Sequence, residues 1–163
     1  MYRLNVGCGN QRVDGFVGVD IELGDAAEIA CDICYLRLIQ TESVDAIYSA
    51  HALQCLPDRS LVPTTLASWF RVLRPGGTLN IEVPDSKPLL REYLSGRIGA
   101  ETVIQGIYGV NEPGLRQTLM FDWVYLHDLL FSAGFSNIHE GPQACYSRHD
   151  ARTNLVVYCQ KPA

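Results

Sequence analysis

Seven positions, residues 8 to 14, are all that separates the first two strand-like runs, Arg3-Leu4-Asn5-Val6-Gly7 and Gly15-Phe16-Val17-Gly18-Val19-Asp20. A parallel crossover ordinarily takes a dozen or more residues and carries a helix. This connection has room for one turn of helix or less, and it opens on Gly7-Cys8-Gly9, where glycine permits φ > 0 or a close backbone approach. Glu28-Ile29-Ala30-Cys31 is a weaker strand pattern, and Val44-Asp45-Ala46-Ile47-Tyr48-Ser49-Ala50 a stronger one, rich in β formers.

Helical periodicity begins later. Leu61, Val62, Leu66, Trp69, Phe70, Val72 and Leu73 recur at helical spacing from Ser60 to Leu73, and Arg74-Pro75-Gly76-Gly77 stops the pattern. Pro63 fits the first turn, where its missing N–H has no intrahelical partner. Thr78 to Val83 alternates as a fifth strand and ends at Pro84-Asp85. Two short helices are expected between Lys87 and Tyr108, around Gly96 and Gly99, then a loop from Val110 to Met120 with Asn111, Pro113 and Gly114. Asp122 is placed to cap a helix through Phe131 that stops at Ala133-Gly134. Ser136 to Glu140 and Thr153 to Cys159 close the chain as an antiparallel strand pair.

This succession predicts an α/β fold: one domain over residues 1–163, with a mostly parallel seven-stranded sheet, helices on both faces, a C-terminal antiparallel strand pair and a shortened first helix. A chain of this length buries a core without disulfides or metal. Lys+Arg 13 against Asp+Glu 18 gives a net charge of −5, and no basic cluster offers a grip on duplex nucleic acid. No apolar run reaches the roughly 20 residues that cross a bilayer, and no apolar leader precedes the first strand, so a cytoplasmic, reduced protein is expected. Six cysteines (Cys8, Cys31, Cys34, Cys55, Cys145 and Cys159) then read as buried thiols. Cys31-Asp32-Ile33-Cys34 has metal-ligand spacing, but no second such pair completes four ligands, and no metal is expected.

Ligands of open parallel sheets bind beyond the carboxyl ends of the strands. This sequence sets its unusual residues there: Gly7-Cys8-Gly9 after the first strand, Asp20 after the second, Asp32 near the third, His51 after the fourth and Asp85 after the fifth. Asp20 suits two hydrogen bonds from vicinal ribose hydroxyls, with a turn or helix cap as its alternative. The dinucleotide fingerprint fails, because Arg12 stands where its third glycine belongs and Asp20 follows Gly7 by 13 residues instead of about 20. A pyrophosphate also wants a helix N-terminus, which the short connection lacks. S-adenosylmethionine has adenine, ribose and a sulfonium but no phosphate, and it needs the glycine approach and the ribose carboxylate alone.

Leu4-Asn5-Val6-Gly7-Cys8-Gly9, Val19-Asp20-Ile21, Val44-Asp45-Ala46-Ile47, Ala50-His51-Ala52-Leu53-Gln54-Cys55-Leu56-Pro57 and Val72-Leu73-Arg74-Pro75-Gly76-Gly77 together resemble the class I S-adenosylmethionine-dependent methyltransferases, most nearly a compact subset like the type 11 enzymes. Ala133-Gly134-Phe135 resembles their late helix end, so the likeness spans residues 4 to 138. The resemblance implies a Rossmann-like fold and S-adenosylmethionine as cofactor. Gly7, Gly9 and the Cys8 backbone would face the methionine part, Asp20 the ribose and Ile21 the adenine. Asp32 and Ile33 would lie near the adenine amino group, with an exposed turn carboxylate as the other reading of Asp32. Ala50 and His51 would border cofactor and acceptor.

His51 has the chemistry to take a proton from an acceptor, or simply lines the cofactor. Asp85 either orients the acceptor or caps the helix that follows it. Tyr108, Trp123, Tyr125 and His127 fall where loops would recognise an acceptor, although Trp123 and Leu126 have core spacing. Gln54 stands where similar proteins carry Glu. The activity implied is methyl transfer to an unidentified small-molecule or glycan-like acceptor, with a homodimer as one way to complete the acceptor site. The alternative is a degenerate fold that binds the cofactor, or serves assembly, without catalysis.

Overall fold

The computed structural model describes residues 1–109, 116–144 and 154–163. Cys145, Thr153 and the expected loop positions Asn111, Pro113 and Gly114 lie outside the described residues. Seven strands form one sheet: β1 (Arg3–Val6), β2 (Val17–Asp20), β3 (Ile29–Ala30), β4 (Val44–Ala50), β5 (Leu73–Pro84), β6 (Ser136–Glu140) and β7 (Asn154–Gln160). Their order is β3-β2-β1-β4-β5-β7-β6. The first five run parallel. β7 is antiparallel to both its neighbours, β5 and β6. The chain leaves β1 in one direction for β2 and β3, and in the other for β4 and β5. The topological switch point therefore lies between β1 and β4, where such sheets open a crevice at their carboxyl edge.

Strand alternation gives the sheet two unlike faces. Leu4, Ile47, Leu79 and Cys159 stand in register across four strands. They join Val6, Ile81 and Val157 in the main apolar core. Two helices complete that core, α1 (Val62–Val72) through Leu66 and Trp69 and α4 (Trp123–Ser132) through Leu126 and Leu130. The opposite face carries the register row Asn5, Tyr48, Asn80 and Tyr158. Glu82 lies one step along β5 from that row and is fully buried. Its carboxylate accepts from the Tyr48 hydroxyl at 3.2 Å and from Gln143 Nε2 at 3.3 Å. The Phe16 ring meets Tyr48 edge-on at 6.3 Å. Asn5 Nδ2 donates to the Gln11 carbonyl at 2.9 Å. The short first connection thus lies over this polar face.

That connection, residues 7–16, contains turns and no helix, in line with its length. The β2–β3 and β3–β4 connections are also free of helix, in line with a helical periodicity that begins only at Ser60. Residues 31–43 are held by the Arg71 guanidinium of α1. It donates to the carbonyls of Tyr35, Leu36 and Ile39 and to the Thr41 hydroxyl, at 3.0 to 3.3 Å. These bonds satisfy carbonyls that a helix would have satisfied internally.

One boundary differs from expectation. Arg74-Pro75-Gly76-Gly77 reads as a break before the fifth strand, yet β5 already begins at Leu73. Leu73 pairs with Val44, and the ladder resumes at Ala46 and Thr78 with the intervening residues bulged. The Gly76 N–H donates to the Lys161 carbonyl and the Lys161 N–H to the Gly77 carbonyl, at 3.0 and 2.9 Å. The glycine segment is thereby tied to the residue that follows β7.

The two short helices are α2 (Ser86–Leu94) and α3 (Ala100–Tyr108), which pack on each other. Pro63 occupies the first turn of α1, and Asp122 caps α4 by accepting from the Tyr125 N–H at 2.8 Å. Among the described residues no helix is long and apolar enough to cross a membrane.

Candidate cofactor site

At the carboxyl end of β1 the chain turns at Gly7, with φ +71°. A Cβ on Gly7 would lie 2.3 Å from the Ala52 Cβ and 3.8 Å from Ile33 Cδ1. Only glycine lets the ends of β1 and β4 and the connection after β3 close to this distance. The N–H groups of Gly7 and Cys8 both point at the Val19 carbonyl, at 2.8 and 3.3 Å, which ties the glycine turn to β2. The Cys8 side chain is turned inward against Ala26 and Ala27. Burial, reinforced by the Asp20 charge, pushes its thiol up to about 11. Its carbonyl accepts from the Gln11 N–H at 2.8 Å, which leaves one lone pair of that oxygen for a ligand.

Asp20 closes the loop from the other side. Its Oδ2 accepts from the Gly9 N–H and its Oδ1 from the Ile21 N–H, both at 2.7 Å. Each carboxylate oxygen can accept more than one hydrogen bond, so lone pairs remain for two vicinal hydroxyls. Ile21 is 65% exposed beside it and offers an apolar surface. An adenosine-like group fits this set: a glycine turn with no Cβ in the way, a carboxylate already held in place, and a bare aliphatic side chain.

Asp32 is exposed in the turn after β3. Its Oδ1 accepts from the Cys34 N–H at 2.8 Å, so the carboxylate caps the turn after β3. Asp32 also borders a shallow cavity of about 340 Å³ with Ala30, Cys31, Tyr35, Arg37 and Leu38. None of Gly7, Gly9, Asp20 or Ile21 lines that cavity. Ile33, by contrast, reaches the glycine turn, and its carbonyl accepts from the Trp69 indole at 2.9 Å. Cys31 and Cys34 are buried in the apolar core, and burial raises the Cys34 thiol.

Ala50 ends β4, in register with Glu82. His51 follows with φ +56°, a left-handed conformation that is uncommon for a residue with a side chain. Its N–H donates to the Glu82 carbonyl at 2.9 Å, and its Nε2 lies 3.0 Å from Asn154 Oδ1. Asp85 caps α2 by accepting from the Lys87 N–H at 3.0 Å. Of the late candidates, Leu126 is core, Trp123 packs partly against that core, and Tyr125 stacks on Phe121 at 5.8 Å. His127 sits on α4 between the rings of Trp123 and Phe131. Gln54 is buried, which accounts for an amide in place of a carboxylate, because an unpaired buried charge is costly.

Ala52, Trp69 and Asn154 belong to this region and were not singled out from sequence. Ala52 follows His51 directly, and a small residue there was the one local signal available. Trp69 had core spacing and nothing to mark its N–H. Asn154 lies 103 residues from its partner.

Residues 4–81 match the family model described as a methyltransferase domain. No curated protein matches the sequence. Among solved structures, the fold is similar to an S-adenosylmethionine-dependent methyltransferase of Methanosarcina mazei, with TM-score 0.67 and 18% identity over 99% of this chain and 92% of that one. It is similar to the 1,6-didemethyltoxoflavin-N1-methyltransferase of Burkholderia thailandensis, solved with 1,6-didemethyltoxoflavin and S-adenosylhomocysteine, with TM-score 0.65 and 18% identity over 99% and 71%. It is also similar to a Bordetella parapertussis protein, with TM-score 0.64 and 17% identity over 99% of this chain, of whose length this chain spans 62%. Residues 4–81 carry the methyltransferase-domain pattern, and the chain as a whole has the Rossmann-like fold of the class I S-adenosylmethionine-dependent methyltransferases.

Proposed function

We propose that the protein transfers a methyl group from S-adenosylmethionine to a small-molecule or glycan-like acceptor. The observation that carries this reading is the meeting of Gly7, Ile33 and Ala52 at the switch point, beside an Asp20 carboxylate bonded to Gly9 and Ile21. In this reading Gly7, Gly9 and the Cys8 backbone border the methionine part, Asp20 takes the ribose hydroxyls and Ile21 covers the adenine. Asp32 and Ile33 approach the adenine amino group, while Ala50 and His51 stand between cofactor and acceptor.

The bound cofactor supplies an activated methyl group. Transfer of that group to an acceptor heteroatom would leave S-adenosylhomocysteine and release one proton for the protein to take up. The protein's part is positioning and exclusion of water. His51 takes the acceptor proton, and Asp85 orients the acceptor with the oxygen that α2 capping leaves over. The acceptor lies against α2 and α3, where Leu94, Ile104 and Tyr108 are exposed, within one chain or across a homodimer. The five described cysteines are free thiols, which suits a reducing cytoplasm, and the net charge of −5 disfavours duplex nucleic acid as the acceptor.

Calorimetric titration with S-adenosylmethionine and S-adenosylhomocysteine, beside an Asp20→Ala variant checked for folding by circular dichroism, tests the site. Binding by the wild type that weakens about tenfold or more in the variant, a difference of about 1.4 kcal/mol, is the expected result. A folded wild type that binds neither compound overturns the reading. The use of the Asp32 and Asp85 carboxylates as backbone caps favours the second reading, a cofactor-binding module without catalysis. Cofactor binding with no transfer of labelled methyl across an acceptor panel would support that reading.

A further inference from the structure

His51 combines two features that nothing in the fold requires. Its backbone is left-handed at φ +56°. A non-glycine residue held there is strained, and His51 shares this conformation with Leu36, Glu42 and Asn137. Its ring also meets the side chain of Asn154, which enters from β7 beside the end of β5, since Asn154 stands in register with Pro84. The contact joins the carboxyl edge of a parallel strand to the first residue of the reversed strand.

The amide of Asn154 is used unevenly. Oδ1 lies 3.0 Å from His51 Nε2, whereas Nδ2 is buried with no hydrogen-bond partner. A buried donor left unsatisfied is destabilising; Asn80 leaves both ends of its amide unpartnered as well, so it is the contact with His51 that sets Asn154 apart. This one bonds the imidazole and leaves its donor unpaired.

The geometry points to Asn154 as the positioning residue for His51. This role deepens the methyl-transfer reading, on which its catalytic consequence rests. An amide oxygen only accepts, so Nε2 carries the proton in the neutral ring, and the ring's lone pair is on Nδ1. Asn154 thereby selects one tautomer and one ring orientation without adding a charge. A carboxylate at this position would hold the imidazolium and remove the base. The His51 backbone is held separately: Cys55 donates its thiol to the His51 carbonyl, and the His51 N–H donates to the Glu82 carbonyl.

The test needs no acceptor. In ¹⁵N-labelled protein, long-range ¹H–¹⁵N correlation spectra resolve the imidazoles of the four histidines, and a His51→Gln variant assigns one set of signals. The expected wild-type result is a neutral His51 with a pyrrole-type, protonated Nε2. Asn154→Asp is expected to move His51 deprotonation up by about 1–3 pH units, as an adjacent opposite charge does. Asn154→Leu is expected to mix the tautomers. A wild-type ring protonated at Nδ1, or an Asn154→Asp titration equal to wild type, would overturn the assignment. Should Asn154→Leu fail to fold, the wild-type tautomer and the Asn154→Asp titration still decide it. Titrating each folded variant with S-adenosylhomocysteine keeps the two proposals apart: lost binding by the wild type sinks the methyl-transfer reading and leaves the imidazole signals to judge Asn154. With an acceptor in hand, Asn154→Leu is expected to lower kcat about 10²-fold or more, the usual share of a general base, with KM for S-adenosylmethionine unchanged.

Discussion

The indole N–H of Trp69 donates to the carbonyl of Ile33 at 2.9 Å, across 36 residues of sequence. Trp69 is fully buried in α1, and Ile33 carries its side chain toward Gly7. One hydrogen bond therefore fixes the distance between the core helix and the wall of the candidate cofactor crevice. It does so where the chain has no crossover helix to set that distance.

Trp69→Phe removes the donor and leaves the carbonyl of the half-buried Ile33 without it. Such an orphaned acceptor costs about 1–3 kcal/mol, to which the smaller ring adds a cavity. Urea unfolding is expected to show a lower midpoint with unchanged slope, and titration with S-adenosylhomocysteine a weaker affinity. An affinity equal to wild type would show that Ile33 holds its place without the indole.

Arg71→Lys keeps the charge and loses the planar fork that reaches three carbonyls and a hydroxyl. We expect a loss of about 2 kcal/mol and, in limited proteolysis, first cleavage between residues 31 and 43. Cleavage starting elsewhere, at wild-type rate, would mean that the segment is held by its apolar contacts alone.

Gly7→Ala places a Cβ 2.3 Å from the Ala52 Cβ at a residue with φ +71°. Cofactor binding should fall below detection while the far side of the sheet stays folded. Adding Ala52→Gly relieves the contact but not the backbone strain, so partial recovery is expected. The double-mutant cycle separates the two causes, and full recovery would show that the contact was the whole defect.

Asp122 makes a stability prediction with a sign. Its carboxyl is held below the usual range, first by the Tyr125 N–H and then by Lys87. The cap's contribution is therefore fully present above the unfolded value of about 3.9 and fades as pH falls toward the lower folded value. Asp122→Ala should cost about 1 kcal/mol at neutral pH and less at strongly acid pH, where the protonated carboxyl still accepts through its C=O. Asp122→Asn should retain most of the cap and lose its pH dependence. Thermal melts of the three proteins from pH 7 down to about pH 3 check both.

Much of the fold was legible because its signals are local. Asp122 and Gly134 bracket α4 as a cap and a positive-φ stop, and Val44–Ala50 alternates where β4 stands. Gly7 and Asp20 could be ranked from their places after successive strands. Asp32 and Asp85 could not, because a carboxylate that caps a turn and one that meets a ligand follow a strand in the same way. The early entry of β5 at Leu73 escaped for a related reason: Pro75, Gly76 and Gly77 are breakers by composition, and only the pairing of Gly76 and Gly77 with Lys161 draws them to the ladder's end.

By itself the sequence determined which residues end each strand and that residues 8 to 14 are too few for a helical crossover, since both follow from spacing and backbone preference. Tertiary structure alone decided which of those strand ends meet. The contacts of Gly7 with Ala52, Ile33 with Trp69 and His51 with Asn154 form only after strand order and register bring distant residues within hydrogen-bond or van der Waals reach. Pairing is a property of the closed sheet, and no local propensity encodes a partner 36 or 103 residues away.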